Sequence, residues 1–197
     1  MRLTRPAPDE SGVDRITAAR LRPENATDFF KVHSGQHGTD WCFCAAWWLP
    51  NWEGWSGRSA AENRALRDGL LAKGEFDGYL SYKDDEPVGW CQVLQRDKLL
   101  KLCEQYRLRP CAARWAITCF LLIPSVRRRG VATQMLCLIL KDLKTRGILE
   151  VEAFPRRGLA LDDALSRWTG PEEVFRAAGF QEEVHDVLRP IFVKRLS

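Results

Sequence analysis

A row of three arginines followed by a glycine, at residues 127–130, has the composition of an anion-binding segment. It stands between an apolar run, residues 117–123, and a helical pattern that begins at Val131. When a strand leads through a turn into a helix, the N–H groups of the first helical turn lack partners, and the peptide dipoles add partial positive charge there. Gly130 has no Cβ, so a ligand can approach its backbone closely. The segment therefore predicts a phosphate site at the start of a helix.

Glu152 is a second candidate for chemistry, because it is a carboxylate in the otherwise apolar run 148–154. A charged side chain on a buried strand needs either an ionic partner or a chemical task. Its possible task is that of a general base, which takes a proton from a reacting group. Glu150 on the same strand is the weaker candidate. The alternative for Glu152 is a structural ion pair with an arginine.

The sequence Arg-Arg-Arg-Gly-Val-Ala at residues 127–132 resembles the Arg/Gln-x-x-Gly-x-Gly/Ala signature of the GCN5-related N-acetyltransferases, the GNAT superfamily. Pro124 and the sequence Phe-Arg-Ala-Ala-Gly-Phe at 175–180 extend the resemblance. It implies a mixed α/β fold with a splayed central pair of strands. It also implies an enzyme that moves acetyl from acetyl-CoA to a primary amine by direct attack in a ternary complex. A non-catalytic acyl-CoA-binding sensor or interaction module is the alternative.

The same resemblance implies where the cofactor binds. The pyrophosphate would lie on backbone N–H groups, the pantetheine arm would pair with the edge of the central strand, and an N–H near Leu122 could polarise the thioester carbonyl. The predicted cofactor-binding residues are Phe120, Leu121, Leu122, Arg127, Arg128, Arg129, Gly130, Val131, Ala132 and Thr133. The tyrosine and asparagine that many GNAT enzymes carry correspond to Phe175 and Trp168 here, so the resemblance supplies no general acid.

Residues 34–58 hold five of the eight tryptophans of the chain. So large an aromatic area in a loop-like segment must cover either the core or a ligand cleft. The resemblance to the GNAT superfamily implies that this region shapes the acceptor pocket, so we predict that Trp41, Trp47 and Trp48 line it, with an ordinary hydrophobic flap as the alternative. Aromatic walls would favour an acceptor with an apolar or cationic part.

The histidines and cysteines of the same region, His33, His37, Cys42 and Cys44, can be read as a zinc site. Cys-x-Cys with histidines on one side only is not a standard structural spacing, so no metal is predicted. The seven cysteines of the chain lie mostly in apolar segments, as expected for buried thiols. Cys119 on the central strand could accept an acyl group, but no base is adjacent to it in sequence and an inert thiol is favoured.

The elements that must position these residues follow from hydrophobic periodicity and turn residues. We predict strands over residues 15–22, 76–83, 87–95, 114–123, 148–154, 184–188 and 191–196. We predict helices over residues 23–33, 59–73, 130–146 and 171–178, with residues 97–110 as a charged excursion. Ser59 and Glu62 predict a capping box, and Gly74 predicts the end of that helix. The order of elements is that of a mixed α/β domain.

Length and charge limit the classes of function. The 197 residues suit a loose arm, 1–14, and a single domain, 15–197. The formal charge of +4 suits an anionic cofactor and is too small to indicate nucleic acid. No run approaches the roughly 18 apolar residues that cross a bilayer, and the N-terminus lacks an apolar signal. We expect a cytoplasmic protein with a small-molecule or peptide amine as acceptor and neither nucleic acid nor membrane as partner, and leave homodimer formation open.

Overall fold

The computed structural model describes residues 16–157 and 168–196, so the predicted arm 1–14 lies outside the described residues. Their strands form one mixed sheet in the order β1-β2-β3-β4-β5-β7-β6. The strands are β1 Ile16–Arg20, β2 Gly78–Lys83, β3 Glu86–Gln95, β4 Arg114–Leu122, β5 Glu150–Ala153, β6 Gln181–Val184 and β7 Ile191–Arg195. The α-helices are α1 Ala26–Val32, α2 Ala60–Ala72, α3 Leu100–Tyr106, α4 Val131–Thr145 and α5 Glu172–Ala177. The predicted mixed α/β architecture is confirmed.

Local sequence signals set several of these boundaries. The N–H of Glu62 donates to the hydroxyl of Ser59 at 3.2 Å, and the N–H of Ser59 donates to the carboxylate of Glu62 at 2.7 Å. This is the predicted capping box at the start of α2. Gly74 follows the helix with φ +70°, a conformation that favours glycine.

Two predicted segments were wrong. The excursion 97–110 contains α3, whose Leu102 and Cys103 are buried while charged neighbours obscure the helical period. The strand predicted over 184–188 is instead β6 at Gln181–Val184. The chain turns after β6, where the carboxylate of Asp186 accepts the N–H groups of Leu188 and Arg189. An aspartate that satisfies two following N–H groups stabilises a turn, which is incompatible with strand pairing there.

Strand β4 lies at the centre of the sheet and is buried on both faces, as predicted. Ile117 and Phe120 pack in the cluster that contains α4, whereas Ala116 and Cys119 pack in clusters on the opposite face. The apolar stripe of α4 covers the first face through Met135 and neighbouring residues. This burial fixes the strand whose end borders the candidate site.

The sheet opens on one side of β4. Its parallel pairing with β5 runs from Arg114↔Glu150 to Ile117↔Ala153, and β4 then continues to Leu122. Antiparallel pairing with β3 persists as far as Gly89↔Leu122. The predicted splay between the two central strands is therefore confirmed, and a wedge separates the end of β4 from β5. None of the described helices has the length and apolar character needed to cross a membrane.

Candidate active site

The last residues of β4 present backbone groups to the wedge. The N–H of Phe120 donates to the carbonyl of Trp168 at 2.7 Å, and Nε of Arg127 donates to the carbonyl of Leu122 at 2.8 Å. Because strand backbone alternates with a period of two, the polar groups of Phe120 and Leu122 face the wedge while those of Leu121 face β3. Of the three strand residues predicted to bind cofactor, two therefore offer backbone to the wedge.

A turn leads from β4 into α4 and shapes the predicted phosphate site. Arg128 and Gly130 adopt left-handed backbone conformations, with φ of +59° and +75°. Gly130 is the residue before α4 and no side chain caps the helix there. A Cβ added to Gly130 would meet no atom within 4 Å, so the space beside its backbone is open. Val131 is buried and anchors the helix, which leaves its backbone as the part that could contact a ligand.

A cavity of about 720 Å³ extends from this wedge under the tryptophan-rich loop. Of the residues predicted to bind cofactor or acceptor, it brings together Phe120, Leu121, Arg127, Trp41 and Trp47. Trp48 is not among its lining residues. That side chain packs against Phe76, with ring centroids 5.5 Å apart, which is the position of a core residue.

The walls of the cavity are largely aromatic. Trp47 lies 5.5 Å from Trp52 and 5.4 Å from Trp168 between ring centroids, and Trp41 lies 4.7 Å from Trp55. Nε1 of Trp52 donates to Gln105 at 2.7 Å, which ties the loop to α3. The sequence prediction did not assign Trp52, Trp55 or Trp168 to the site, although the tryptophan content of residues 34–58 was a signal for the first two.

Three arginines, Arg127, Arg156 and Arg189, also line the cavity. Its lining, taken from the described part of the chain, contains no carboxylate. Arg156 follows β5 and Arg189 follows the turn at Asp186, so nothing local in the sequence brings them together. Burial raises the pKa of Tyr106, another lining residue, to about 12, so this phenol remains protonated at neutral pH.

Glu152 lies away from this cavity. Its side chain is fully buried, and Oε1 accepts hydrogen bonds from Nη1 of Arg96 at 2.5 Å and from Nη1 of Arg114 at 2.8 Å. It does not line the cavity. This geometry is that of the structural ion pair, the alternative to the predicted base role.

Two histidines lie at the cavity in different environments. His37 is half-buried and lines the wall. His33 is buried, and burial lowers its pKa to about 3, so its imidazole is neutral at physiological pH. A histidine with access to the cavity is a general-base candidate that sequence reasoning considered only as a metal ligand.

Phe175, which stands where many relatives of the resembled family have tyrosine, is fully buried. Its ring packs 6.1 Å from that of Phe120 and 5.4 Å from that of Phe180. A Cβ built on Gly170 would lie 2.8 Å from Cζ of Phe175, the atom that would carry a tyrosine hydroxyl. Gly170 thus packs closely against the end of the Phe175 ring, where a larger residue would clash.

Comparison with known proteins gives one sequence match and many structural ones. A family model described as "Acetyltransferase (GNAT) family" matches residues 41–158. No curated protein matches the sequence significantly. Among solved structures, an N-acetyltransferase from Staphylococcus aureus Mu50 superposes with a TM-score of 0.53 at 11% identity, covering 93% of this chain and 99% of the other.

Two further structures add to this comparison. PaiA N-acetyltransferase from Thermoplasma acidophilum, in complex with coenzyme A, gives a TM-score of 0.50 at 13% identity and covers 92% of this chain and 99% of the other. A spermidine N-acetyltransferase chimera from Vibrio cholerae gives 0.57 at 9% identity, with coverage of 92% and 95%. At these identities the structural likeness shows a shared fold. The family model adds a match in sequence over residues 41–158, a range that includes the signature at residues 127–132.

Proposed function

Because the chain belongs to the GNAT family of acetyltransferases, we propose that it transfers acetyl from acetyl-CoA to the primary amine of a small molecule or peptide by direct attack in a ternary complex. The observation that carries the proposal is the continuity of three features. The uncapped start of α4, the backbone edge of β4 beyond its pairing with β5 and the aromatic cavity adjoin one another through Arg127 and Phe120. Acetyl transfer needs three adjacent sites in this order: one for the pyrophosphate of the cofactor, a strand edge that pairs with its pantetheine amides, and a pocket for the acceptor.

Acetyl-CoA is the cofactor of this family, and the Thermoplasma relative holds coenzyme A. In this chain the N–H groups after Gly130 would bind the pyrophosphate, assisted by the helix dipole. The pantetheine amides would pair with the backbone of Phe120 and Leu122. The N–H of Leu122, which faces the wedge, would then donate to the thioester carbonyl as negative charge develops on it.

The lining of the cavity supports a narrower acceptor class. Aromatic walls bind apolar or aromatic groups by area burial and stacking. Arg156 and Arg189 would pair with a carboxylate on the acceptor, and the lining within the described ranges offers no carboxylate for a second ammonium group. We therefore favour an amine with an aromatic or apolar body and an acidic group over a polyamine such as the substrate named for the Vibrio relative.

For the base, the proposal favours His37 over Glu152. An incoming amine must reach the base directly or through one water, and His37 lines the cavity whereas Glu152 is enclosed by Arg96 and Arg114. The thiolate of coenzyme A, with the pKa of an ordinary thiol near 8.5, leaves with a proton from water. Phe175 has no ionisable group, and this mechanism requires no general acid at its position.

The test is a turnover assay that separates acetylated products by chromatography and identifies them by mass. The acceptor panel pairs amino acids with aromatic side chains, their methyl esters and polyamines. We expect kcat/KM for the free acids to exceed that for the esters and polyamines at least about tenfold. The esters and polyamines lack the carboxylate that would pair with Arg156 and Arg189. Tight binding of acetyl-CoA with no product from any acceptor would overturn the enzyme proposal in favour of a cofactor sensor.

A matched pair of arginine variants tests the acceptor class separately. Arg189→Gln should raise KM for acidic acceptors while leaving the esters unchanged. Arg195→Gln, in β7 and outside the cavity lining, is the control and should leave both unchanged. Equal effects of Arg189→Gln on acids and esters would contradict the anionic acceptor while leaving acetyl transfer intact.

A further inference from the structure

Three metal-binding side chains from separate elements converge beside the aromatic cavity. His33 follows α1, Cys44 lies in the tryptophan-rich loop and Cys119 lies on β4. Nε2 of His33 is 3.3 Å from Sγ of Cys44, which is 2.8 Å from Sγ of Cys119. The three ligand atoms all lie within 4.8 Å of one another, and all three residues are buried. Cys119 is distant in sequence, so local spacing could not reveal this set.

We propose that His33, Cys44 and Cys119 bind a zinc ion. All three residues line the cavity, which leaves the fourth coordination position to water or to a ligand in the cavity. Zinc takes tetrahedral sets of cysteine and histidine ligands, and two cysteines with one histidine and an open fourth position is a known combination. Binding displaces the protons of the two thiols, so metal uptake releases protons to solvent.

The distances suit such a centre after a small adjustment. Bonds of about 2.3 Å to sulfur and about 2.0 Å to nitrogen place tetrahedral ligand atoms about 3.5–3.8 Å apart. The separation of 3.3 Å between His33 and Cys44 is close to this value. The two sulfurs at 2.8 Å must separate by about 1 Å, which rotation about the Cα–Cβ bond of one cysteine provides.

The imidazole of His33 is oriented as a metal ligand. Its Nδ1 lies 3.0 Å from the carbonyl of Phe29, and since a carbonyl only accepts, Nδ1 carries the proton. The unprotonated Nε2 therefore points its lone pair at the cysteines. The ring also stacks on that of Phe29 at 3.9 Å, which holds its plane. A backbone acceptor on the far nitrogen is the usual outer support of a zinc-binding histidine.

The backbone that presents Cys44 is in an uncommon conformation. Phe43 and Cys44 both have positive φ, +41° and +52°, although neither is glycine. Two such residues in succession are strained and persist where the surroundings hold them. The side-chain amide of Gln92 donates to the carbonyl of Cys44 at 3.2 Å and is one such restraint. Zinc ligation by Cys44 would fix the same turn through its side chain.

Cobalt titration of the full chain tests the proposal. The protein, made without an affinity tag, is reduced, stripped of metal with a chelator and titrated with Co²⁺, which reports tetrahedral thiolate ligation by its absorption. We expect thiolate-to-cobalt charge-transfer bands and intense tetrahedral bands that saturate at one equivalent and disappear when Zn²⁺ is added. Elemental analysis of the untreated protein should find about one zinc per chain.

Two cysteine variants supply the matched comparison. Cys119→Ala should abolish the cobalt–thiolate bands and lower the zinc content at least about tenfold. Cys91→Ala removes another buried thiol, on the neighbouring strand β3, and should retain both. If Cys119→Ala does not fold, the titration of the wild-type chain still decides the question.

Three results would overturn the proposal. One is the absence of cobalt–thiolate bands in the reduced wild-type protein. Another is full zinc binding by folded Cys119→Ala. The third is a chain as purified that lacks zinc and is lighter by two hydrogens, with Cys44 and Cys119 protected from alkylation, since this identifies a disulfide between them.

Discussion

The backbone N–H of Phe120 donates a 2.7 Å hydrogen bond to the carbonyl of Trp168, across the wedge between β4 and β5. The carbonyl of Trp168 thus occupies a backbone N–H on the edge of β4 with which a pantetheine arm would pair. The indole of Trp168 meanwhile lies against Trp47 in the cavity wall. Binding of the cofactor at this edge must therefore exchange one acceptor for another and disturb the contact between the two tryptophans.

This exchange predicts a fluorescence signal. Addition of coenzyme A should change the tryptophan emission of the wild-type protein, and Trp168→Phe should lose most of that change. Trp55→Phe, which removes another indole of the same cavity, is the control and should retain it. An unaltered response in Trp168→Phe would mean that the cofactor leaves the 168–170 segment in place.

The two glycines that flank α4 allow a controlled test of the phosphate site. Gly130 and Gly147 have φ of +75° and +76°, and a Cβ at either would meet no atom within 4 Å. Aspartate at either position introduces no steric clash but strains a left-handed backbone conformation, so the strain at the two positions should be similar. Only Gly130→Asp adds negative charge beside the pyrophosphate, so we expect its affinity for coenzyme A, measured by calorimetry, to fall at least about tenfold, or about 1.4 kcal/mol. Equal affinities for the two variants would remove the cofactor from this loop.

Glu152 should matter for stability more than for catalysis. Glu152→Gln leaves the buried guanidinium of Arg96 without its charged partner, and loss of one member of a buried pair costs about 3–5 kcal/mol. Glu150→Gln, on the same strand but partly exposed, should cost under about 1 kcal/mol. Urea unfolding measures both.

The pH dependence of kcat separates the two roles of Glu152. At a temperature where both glutamine variants are folded, we expect their profiles to match that of the wild type. Loss of the acidic limb, the fall in kcat at low pH, in Glu152→Gln alone would support the carboxylate as the general base.

The parts of the fold that sequence predicted well are those specified by local patterns. The stripe of α4, the capping box at Ser59 and the continuous apolar run of β4 each act over a few neighbouring residues. The helix α3 was missed because Lys101, although 4% exposed, interrupts the apolar pattern. Its ammonium is satisfied by the carbonyl of Ala46 and the ring of Trp52, partners that no local rule supplies.

In the candidate site, too, the parts formed by consecutive residues could be predicted from the sequence. The signature at residues 127–132 is contiguous, so both the turn and the start of the helix could be inferred. Arg156, Trp168 and Arg189 reach the cavity through the path of the chain after β5, and their separation along the sequence hides their proximity. Glu152 shows the limit of sequence reasoning: an isolated carboxylate in an apolar strand indicates a partner or a task, and only the fold shows the arginines around it.

Lys101 gives a pH-dependent prediction that depends on the cavity wall. Its ammonium donates to the carbonyl of Ala46 at 2.8 Å and lies 3.5 Å over the ring of Trp52, and burial lowers its pKa to about 8. In the unfolded chain the pKa of lysine is about 10.4. Between these values the unfolded state binds more protons than the folded state, so the stability of the protein rises with pH in this window, by up to about 3 kcal/mol.

The matched variant is Lys101→Arg, because arginine stays charged throughout this range. Unfolding free energies measured by denaturant from pH 7.5 to 10.5 should rise for the wild type relative to Lys101→Arg, and subtraction removes the contribution of the other titrating groups. The loss of charge also removes the cation–π contact to Trp52, so the fluorescence of folded wild-type protein should change with a midpoint near pH 8. Parallel stability curves for the two proteins would show that Lys101 keeps its proton up to the pH at which a free lysine loses it.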